Sequence, residues 1–308
     1  MEGLALENWA IAKKRVVYMI YKQYNDVKAF YIDTYDILMR HEAQNVIPLG
    51  NIIIGNEGKD KTDWRDPAEW FMATVSNDKG IMLTAVMTTS KKNLTLYATD
   101  NNYDGAALNC LVENVYRNNI QVPGVMAEKT LAESFAQAYA AKCGIDYNVA
   151  KNQRIYELTK VNPGIPSIGV VRLAEKNDMS FLPYWMKGFD NECFGDTLAT
   201  GNSIDDYLYR MSYNQLYILE DGGMPVSMAK ISRELHTVCV VGMVYTPPYF
   251  RGRGYATSCV AAVSQSGLDR GFAKCVLYTD LANPVSNSIY MKIGYEPICD
   301  SIEIRFNK

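Results

Sequence analysis

The sequence predicts an α/β fold arranged as two tandem domains, and three observations lead to this expectation. The chain has 308 residues, about twice the length of a usual single domain. Strand-like and helix-like patterns alternate along both halves, as in α/β proteins. Between the halves lies VNPGIPSIG, residues 161–169, whose prolines and glycines indicate a linker. We therefore expect one domain over residues 1–160 and a second over residues 168–308.

The first half begins with a predicted helix. Residues 5 to about 43 carry apolar side chains at helical spacing without a proline, and NVIPLGNIII then interrupts that pattern. Strands are expected next in FMATV, IMLTAVMTT and NLTLYA. Helices follow in AALNCLVENVYRN and KTLAESFAQAYAAK, and Gly144 would end the second of them. The segment QRIYELTKV closes this half as a strand.

The second half repeats the alternation. A strand and then the start of a helix near Asp178 are expected in VVRLAEKND, and a helix is expected in SFLPYWMKGF. Two strands joined by an Asp-Gly-Gly turn are expected in QLYILEDGGMPVSMAKIS. Further strands are expected in VCVVGMVY, KCVLYTDL and IEIRF, and further helices in ATSCVAAVSQSGLDR and SNSIYMKIG. NLTLYATDNNYDGAALNCLV aligns loosely with VGMVYTPPYFRGRGYATSCV, which suggests that one α/β unit has been duplicated.

Composition and charge argue against several classes of function. The formal net charge of -3 gives no basic field that would attract nucleic acid or a membrane surface. No apolar stretch is long enough to span a bilayer and the start of the chain is acidic, so a cytoplasmic protein is expected. Seven scattered cysteines without a C-x-x-C pair, and two distant histidines, argue against a metal centre and a Ser-His-Asp hydrolase.

The stretch that says most about function is YTPPYFRGRGYATSCV, residues 245–260. A predicted strand runs into two prolines, and R-G-R-G then opens a predicted helix. The first amides of a helix have no partner within it and its dipole favours negative charge, so this end suits a diphosphate. Glycines allow close approach, and Arg251 and Arg253 can add charge-assisted hydrogen bonds. On spacing alone, a solvated surface turn stays open as the alternative.

With its surroundings, this loop resembles the GNAT superfamily of acetyltransferases. R-x-x-G-x-A after a strand, and N-x-x-x-x-x-x-Y-x-K-x-G-Y from Asn283 to Tyr295, are similar to motifs A and B of that family. The order of elements from about residue 168 to 308 agrees, beginning with V-R-L-A-x-x-x-D at Val171 to Asp178. The chain also looks like a bacterial tandem-domain subgroup with a degenerate N-terminal GNAT-like domain. The resemblance implies two such domains, each with a mixed, mostly antiparallel sheet flanked by helices.

The resemblance also implies roles for the matching residues. The backbone of Met243, Val244 and Tyr245 would pair with the pantetheine arm of acetyl-CoA, and the Val244 amide would donate to the thioester carbonyl. Asn283 would hold the pantetheine amides. The pyrophosphate would be cradled by the loop residues Arg251, Gly252, Arg253, Gly254, Tyr255, Ala256 and Thr257.

Acetyl transfer also needs an acid and a base. Tyr290 would lie near the sulfur and protonate the departing thiolate, which a well-placed phenol can do. No base stands out from the sequence. Glu192, in GFDNECFGD, is the candidate base because this region forms the acceptor pocket in the family. The alternative is that Glu192 is only a solvated acid at a helix end. No metal is expected to take part.

The preferred interpretation is an N-acetyltransferase that moves the acetyl group of acetyl-CoA to a primary amine by direct attack in a ternary complex. The acceptor would be a small-molecule or peptide amine, and the protein a monomer or homodimer. A non-catalytic acyl-CoA-binding module stays open, as does a transferase using another acyl-CoA or a sugar or peptide amine. The first half is expected not to bind CoA, because Asp100 and Asp104 stand in its phosphate loop and Ala138 stands near the counterpart of Tyr290.

Overall fold

The computed structural model describes residues 18–58, 66–195 and 215–307. Its centre is one continuous sheet with the strand order β1-β2-β3-β4-β5-β12-β6-β11-β10-β9-β8-β7. The strands are β1 (Ile20–Tyr24), β2 (Phe71–Asn77), β3 (Gly80–Met87), β4 (Leu94–Ala98), β5 (Gly124–Glu128), β6 (Asp146–Leu158), β7 (Val170–Leu173), β8 (Gln215–Asp221), β9 (Met224–Glu234), β10 (Val238–Tyr245), β11 (Lys274–Asp280) and β12 (Glu296–Asn307).

Helices cover both faces of this sheet. They are α1 (Val27–Met39), α2 (Val46–Glu57), α3 (Gly105–Arg117), α4 (Lys129–Cys143), α5 (Leu182–Phe194), α6 (Tyr255–Asp269) and α7 (Pro284–Ile293). The predicted α/β class is confirmed, and the sheet pairs are mostly antiparallel. No helix in the described ranges is long and apolar enough to cross a membrane.

The helix expected over residues 5 to about 43 is wrong at its centre. Ile20–Tyr24 forms β1, which pairs antiparallel with β2, because backbone pairing to a neighbouring strand outweighs the helical spacing of the side chains. Helix α1 begins only at Val27, after the Asp26 carboxylate accepts hydrogen bonds from the first amides of the helix. The part of this prediction before residue 18 lies outside the described residues.

The break expected at NVIPLGNIII is also wrong, since Val46–Glu57 is helix α2. Pro48 is its third residue, and the amide that a proline lacks would have had no partner within the first turn. Gly144 ends α4 in the left-handed conformation, at φ 67°, as expected. Strand β5, a run of only five residues, was not predicted.

The two halves exchange their last strands. Strand β6, which ends the first half, pairs antiparallel with β11 and with β12 of the second half. Strand β12, which ends the second half, pairs with β5 of the first half as well as with β6. The division at residues 1–160 and 168–308 stays a prediction, but the sheet runs across it without a break.

The sheet has a front face, which we define as the one covered by α1, α2 and α5, and a back face covered by α3, α4, α6 and α7. On the front face, the start of α2 packs on β10 and β11 of the second half. There, Glu42 accepts hydrogen bonds from the amide, at 2.9 Å, and the hydroxyl of Thr237. The Tyr278 hydroxyl donates to the Gln44 carbonyl at 3.1 Å. The first half therefore covers part of the second half's sheet.

Candidate functional site

A gap opens between β10 and β11. The parallel register joins Val238–Val240 to Lys274–Val276 and continues no further. On its other edge, β10 shows a register shift against β9 between Gly242 and Tyr245, and Met243 within it has φ 50°. A bulge of this kind bends a strand away from its neighbour. The stretch containing Met243, Val244 and Tyr245 therefore borders an opening in the sheet.

The arginine-glycine loop connects β10 to α6. After a single turn of 3-10 helix at Pro248–Phe250, Gly252 and Gly254 adopt φ 77° and 84°, where a side chain would be strained. Gly254 is the N-cap of α6, and among the described residues no side chain accepts from the first amides of that helix. The N-terminus of α6 can therefore present its amides and its positive dipole end to an anion.

Arg251 is held in place by three contacts. Its Nε donates to the Thr246 carbonyl at 2.8 Å, and its guanidinium carbon lies 5.7 Å from the centre of the Tyr245 ring. One terminal nitrogen donates to both carboxylate oxygens of Glu192, at 2.7 and 2.9 Å. The structure thus brings together three residues for which the sequence predicts separate roles. Arg251 is assigned to phosphate binding, Tyr245 to the strand beside the pantetheine arm, and Glu192 to the base.

Changing Glu192 to Gln is expected to tighten acetyl-CoA binding. The Glu192 carboxylate competes with a diphosphate for Arg251, and an ion pair that is half-exposed on both sides contributes at most about 1 kcal/mol. We therefore expect the Kd of acetyl-CoA to fall by up to about fivefold. If Glu192 were instead the base, kcat of this variant would fall by about 10²-fold or more. Calorimetry and steady-state kinetics on one preparation distinguish the two roles.

Tyr290 lies on the back face, on α7, and its side chain is almost fully buried. Burial raises the pKa of its phenol to about 12, negative charge on Cys193 would raise it further, and the Ser286 hydroxyl opposes the shift. Cys193 belongs to α5 on the front face. Tyr290 and Cys193 therefore lie on opposite faces of the sheet.

Helix α7 is tied to the end of β11 by two asparagines. Asn283, the N-cap, accepts from the Ser286 amide at 3.1 Å through its side chain. The Asn287 amide nitrogen donates to the carbonyls of Asp280, at 3.0 Å, and Asn283, at 2.7 Å, and its oxygen accepts from the Tyr156 hydroxyl at 3.1 Å. Asn283 had been singled out from the sequence, whereas Asn287 and Tyr156 had not.

Polar side chains cluster on the front face beside the end of β11, and we call this group, Lys151, Gln153, Cys193 and Asp280, the front chamber. Gln153 and Asp280 are register partners on β6 and β11, and Lys151 donates to the Cys193 carbonyl at 2.7 Å. The Gln153 side-chain oxygen is buried without a hydrogen-bond partner among the described residues. A carboxylate and an unpaired amide oxygen suit a ligand that donates hydrogen bonds.

The front chamber could not be identified from the sequence. Gln153 and Asp280 are 127 positions apart, and only the pairing of β6 with β11 brings them together. Over the described ranges, no cluster of three or more His, Cys, Asp or Glu side chains could hold a metal ion.

In the corresponding loop of the first half, two carboxylates already have partners within the chain. The Asp104 carboxylate caps α3 by accepting from the Ala107 amide at 2.8 Å, and Asp100 pairs with Arg40 at 2.9 Å. Counting back from the left-handed glycines that end α4 and α7, Ala140 stands at the position of Tyr290, two residues after Ala138, which the sequence places near that position.

Comparison with known proteins gives a family match over the second half. Residues 182–295 match a family model described as Acetyltransferase (GNAT) family. No curated protein matches the chain.

Solved structures match nearly the whole chain. A GNAT-family acetyltransferase from Colwellia psychrerythraea is 12% identical with a TM-score of 0.55, and the match covers 93% of this chain and 98% of that one. A GCN5-related N-acetyltransferase from Sphaerobacter thermophilus is 15% identical with a TM-score of 0.58, covering 92% and 95%. A Drosophila structural-genomics target is 12% identical with a TM-score of 0.59, covering 94% and 99%. At such identities the likeness concerns the fold.

Proposed function

We propose that this chain, whose residues 182–295 match the GNAT acetyltransferase family model, moves the acetyl group of acetyl-CoA to a primary amine by direct attack in a ternary complex. The family match supports acyl transfer in general. The observation that carries the finer proposal is the uncapped α6 N-terminus, which follows β10 at the gap and shares a core with the buried Tyr290.

The donor would lie along this arrangement. Its diphosphate would meet the amides and arginines of residues 251–257, and its pantetheine arm would follow Met243–Tyr245 with Asn283 holding the amides. The uncapped helix end and the two left-handed glycines support this placement, because the first amides of α6 have no side-chain cap and glycines allow a ligand to approach the backbone closely. The thioester would then lie in the gap, between Tyr290 and the front chamber.

The reaction would proceed through a tetrahedral intermediate. The amine nitrogen attacks the thioester carbonyl carbon, the Val244 amide stabilises the oxyanion, and the carbon–sulfur bond breaks. The phenol of Tyr290 gives its proton to the departing thiolate. The amine gives up its own proton to a carboxylate near the front chamber, for which Glu192 and Asp280 are the candidates. Holding both substrates in one cleft supplies much of the rate.

The first half would act as a scaffold and would not bind CoA. Asp104 already caps α3, and a carboxylate at that point repels a diphosphate. The acceptor would be a small-molecule or peptide amine. The cytoplasmic location, the monomeric or homodimeric state and the absence of nucleic-acid and membrane partners stay predictions from the sequence.

Mass spectrometry of reaction products tests the proposal. The protein is incubated with a panel of primary amines and with acetyl-CoA or longer acyl-CoAs. We expect an N-acetylated product together with free CoA, and no product from hydroxyl analogues of the same amines. Acetyl-CoA binding without any product would favour the non-catalytic binding module. A product carrying a longer acyl group in preference to acetyl would contradict the acetyl assignment.

A further inference from the structure

The exchanged strand β6 brings a side chain of the first half into contact with the helix that carries Tyr290. Tyr156 of β6 is buried on the back face, in the same core as α6 and α7. Its hydroxyl donates to the Asn287 side-chain oxygen at 3.1 Å. Asn287 is also buried and lies one turn before Tyr290 on α7.

The hydrogen bonds of Asn287 fix which way its amide points. The amide nitrogen donates to the Asp280 and Asn283 carbonyls, so the oxygen must face Tyr156. In this orientation the Tyr156 hydroxyl is the donor that satisfies the oxygen. Without that hydroxyl, a buried acceptor loses its partner, and a buried unpaired acceptor is costly.

The same amide joins the end of β11 to the start of α7. The Asp280 carbonyl is at the last residue of β11 and the Asn283 carbonyl is at the N-cap of α7, so Asn287 holds the turn between them. The angle of α7 to the strand decides where the buried Tyr290 phenol lies relative to the gap. A shift of about 1 Å at a reacting group can lower a rate by about 10²-fold.

We propose that Tyr156 is a positioning residue for Tyr290, so that the first half contributes directly to the active site of the second through its exchanged strand. The inference rests on the proposed function. It assigns the first half a more specific role than that of a scaffold. Tyr156 acts through Asn287 and does not touch the donor or the acceptor.

The variant Tyr156→Phe tests this, because it keeps the buried ring and removes only the hydroxyl. We expect kcat to fall by about 10- to 100-fold while KM for acetyl-CoA changes by less than about twofold. The matched control is Tyr217→Phe, which keeps a buried ring of the same core and removes only its partly buried hydroxyl, which donates to the Gln215 side chain and contacts Ser266 at 3.1 Å. We expect the control to keep kcat within about twofold of the wild type.

A double variant separates positioning from general loss of structure. If Tyr156 acts through Tyr290, then adding Tyr156→Phe to Tyr290→Phe lowers kcat no further. The inference is overturned if the kcat loss of the double variant equals the product of the two single losses. It is also overturned if Tyr156→Phe and Tyr217→Phe lose kcat equally. An unchanged kcat in Tyr156→Phe overturns it as well. If the wild type binds acetyl-CoA but transfers no acetyl group, the proposed function itself is contradicted. The variants then have no kcat to compare.

Discussion

A fragment of residues 165–308 is expected to lose both the folded core of the second half and all transferase activity. It lacks β6, which fills the space between β11 and β12. Three buried side chains of β6, Ile155, Tyr156 and Leu158, leave the core with it. At about 1.5–3 kcal/mol each, their loss is comparable with the roughly 5–15 kcal/mol that stabilises a whole domain.

A fragment of residues 145–308 is the matched comparison, because it keeps β6 between its two partners. We expect it to melt cooperatively, and the shorter fragment to show no cooperative transition, by circular dichroism. A fragment of residues 165–308 that folds cooperatively and transfers acetyl groups as fast as the full chain would contradict the role given to the exchanged strand.

The variant Tyr290→Phe is expected to lose about 10²-fold or more in kcat, with little change in KM for acetyl-CoA. Loss of a general acid lowers the chemical step by about 10²- to 10⁴-fold, whereas the phenyl ring still fills the same buried space. The control is again Tyr217→Phe. A variant that keeps the full kcat would remove Tyr290 from the mechanism.

The pH dependence follows from the burial of Tyr290. Since burial raises the pKa of its phenol to about 12, the protonated and active form of this acid persists through neutral pH and is lost only as the pH approaches that value. We therefore expect no loss of kcat near pH 10, where an exposed tyrosine ionises. A descending limb near pH 10 that disappears in Tyr290→Phe would show that the phenol is not shielded during turnover.

The features that the sequence predicted well are local. The Arg251–Ala256 loop, the Asp-Gly-Gly turn and the left-handed Gly144 each depend on a few adjacent residues, whose backbone preferences determine their geometry. The match to the family motifs likewise concerns short runs around Arg251 and Tyr290. This is why the second half could be interpreted before its structure was known.

The features that were missed depend on pairing between distant segments. Strand β1 has helical spacing, yet it completes the edge of the sheet by pairing with β2. No local pattern in QRIYELTKV indicates that this strand crosses into the other half, so Tyr156 could not be linked to Asn287. The contact between Glu192 and Arg251 joins α5 to a loop 59 residues away, and it appears only in the folded chain.

The central claim is that the arginine-glycine loop binds the donor, and calorimetric titration with acetyl-CoA tests it most directly. The wild type is compared with Arg251→Ala/Arg253→Ala and with Arg117→Ala/Arg305→Ala, which removes the same charge from two exposed sites elsewhere. We expect one site per chain in the wild type and in the control, with binding at least about tenfold weaker in the loop variant. No binding by the wild type, or equal affinity in all three proteins, would contradict the claim.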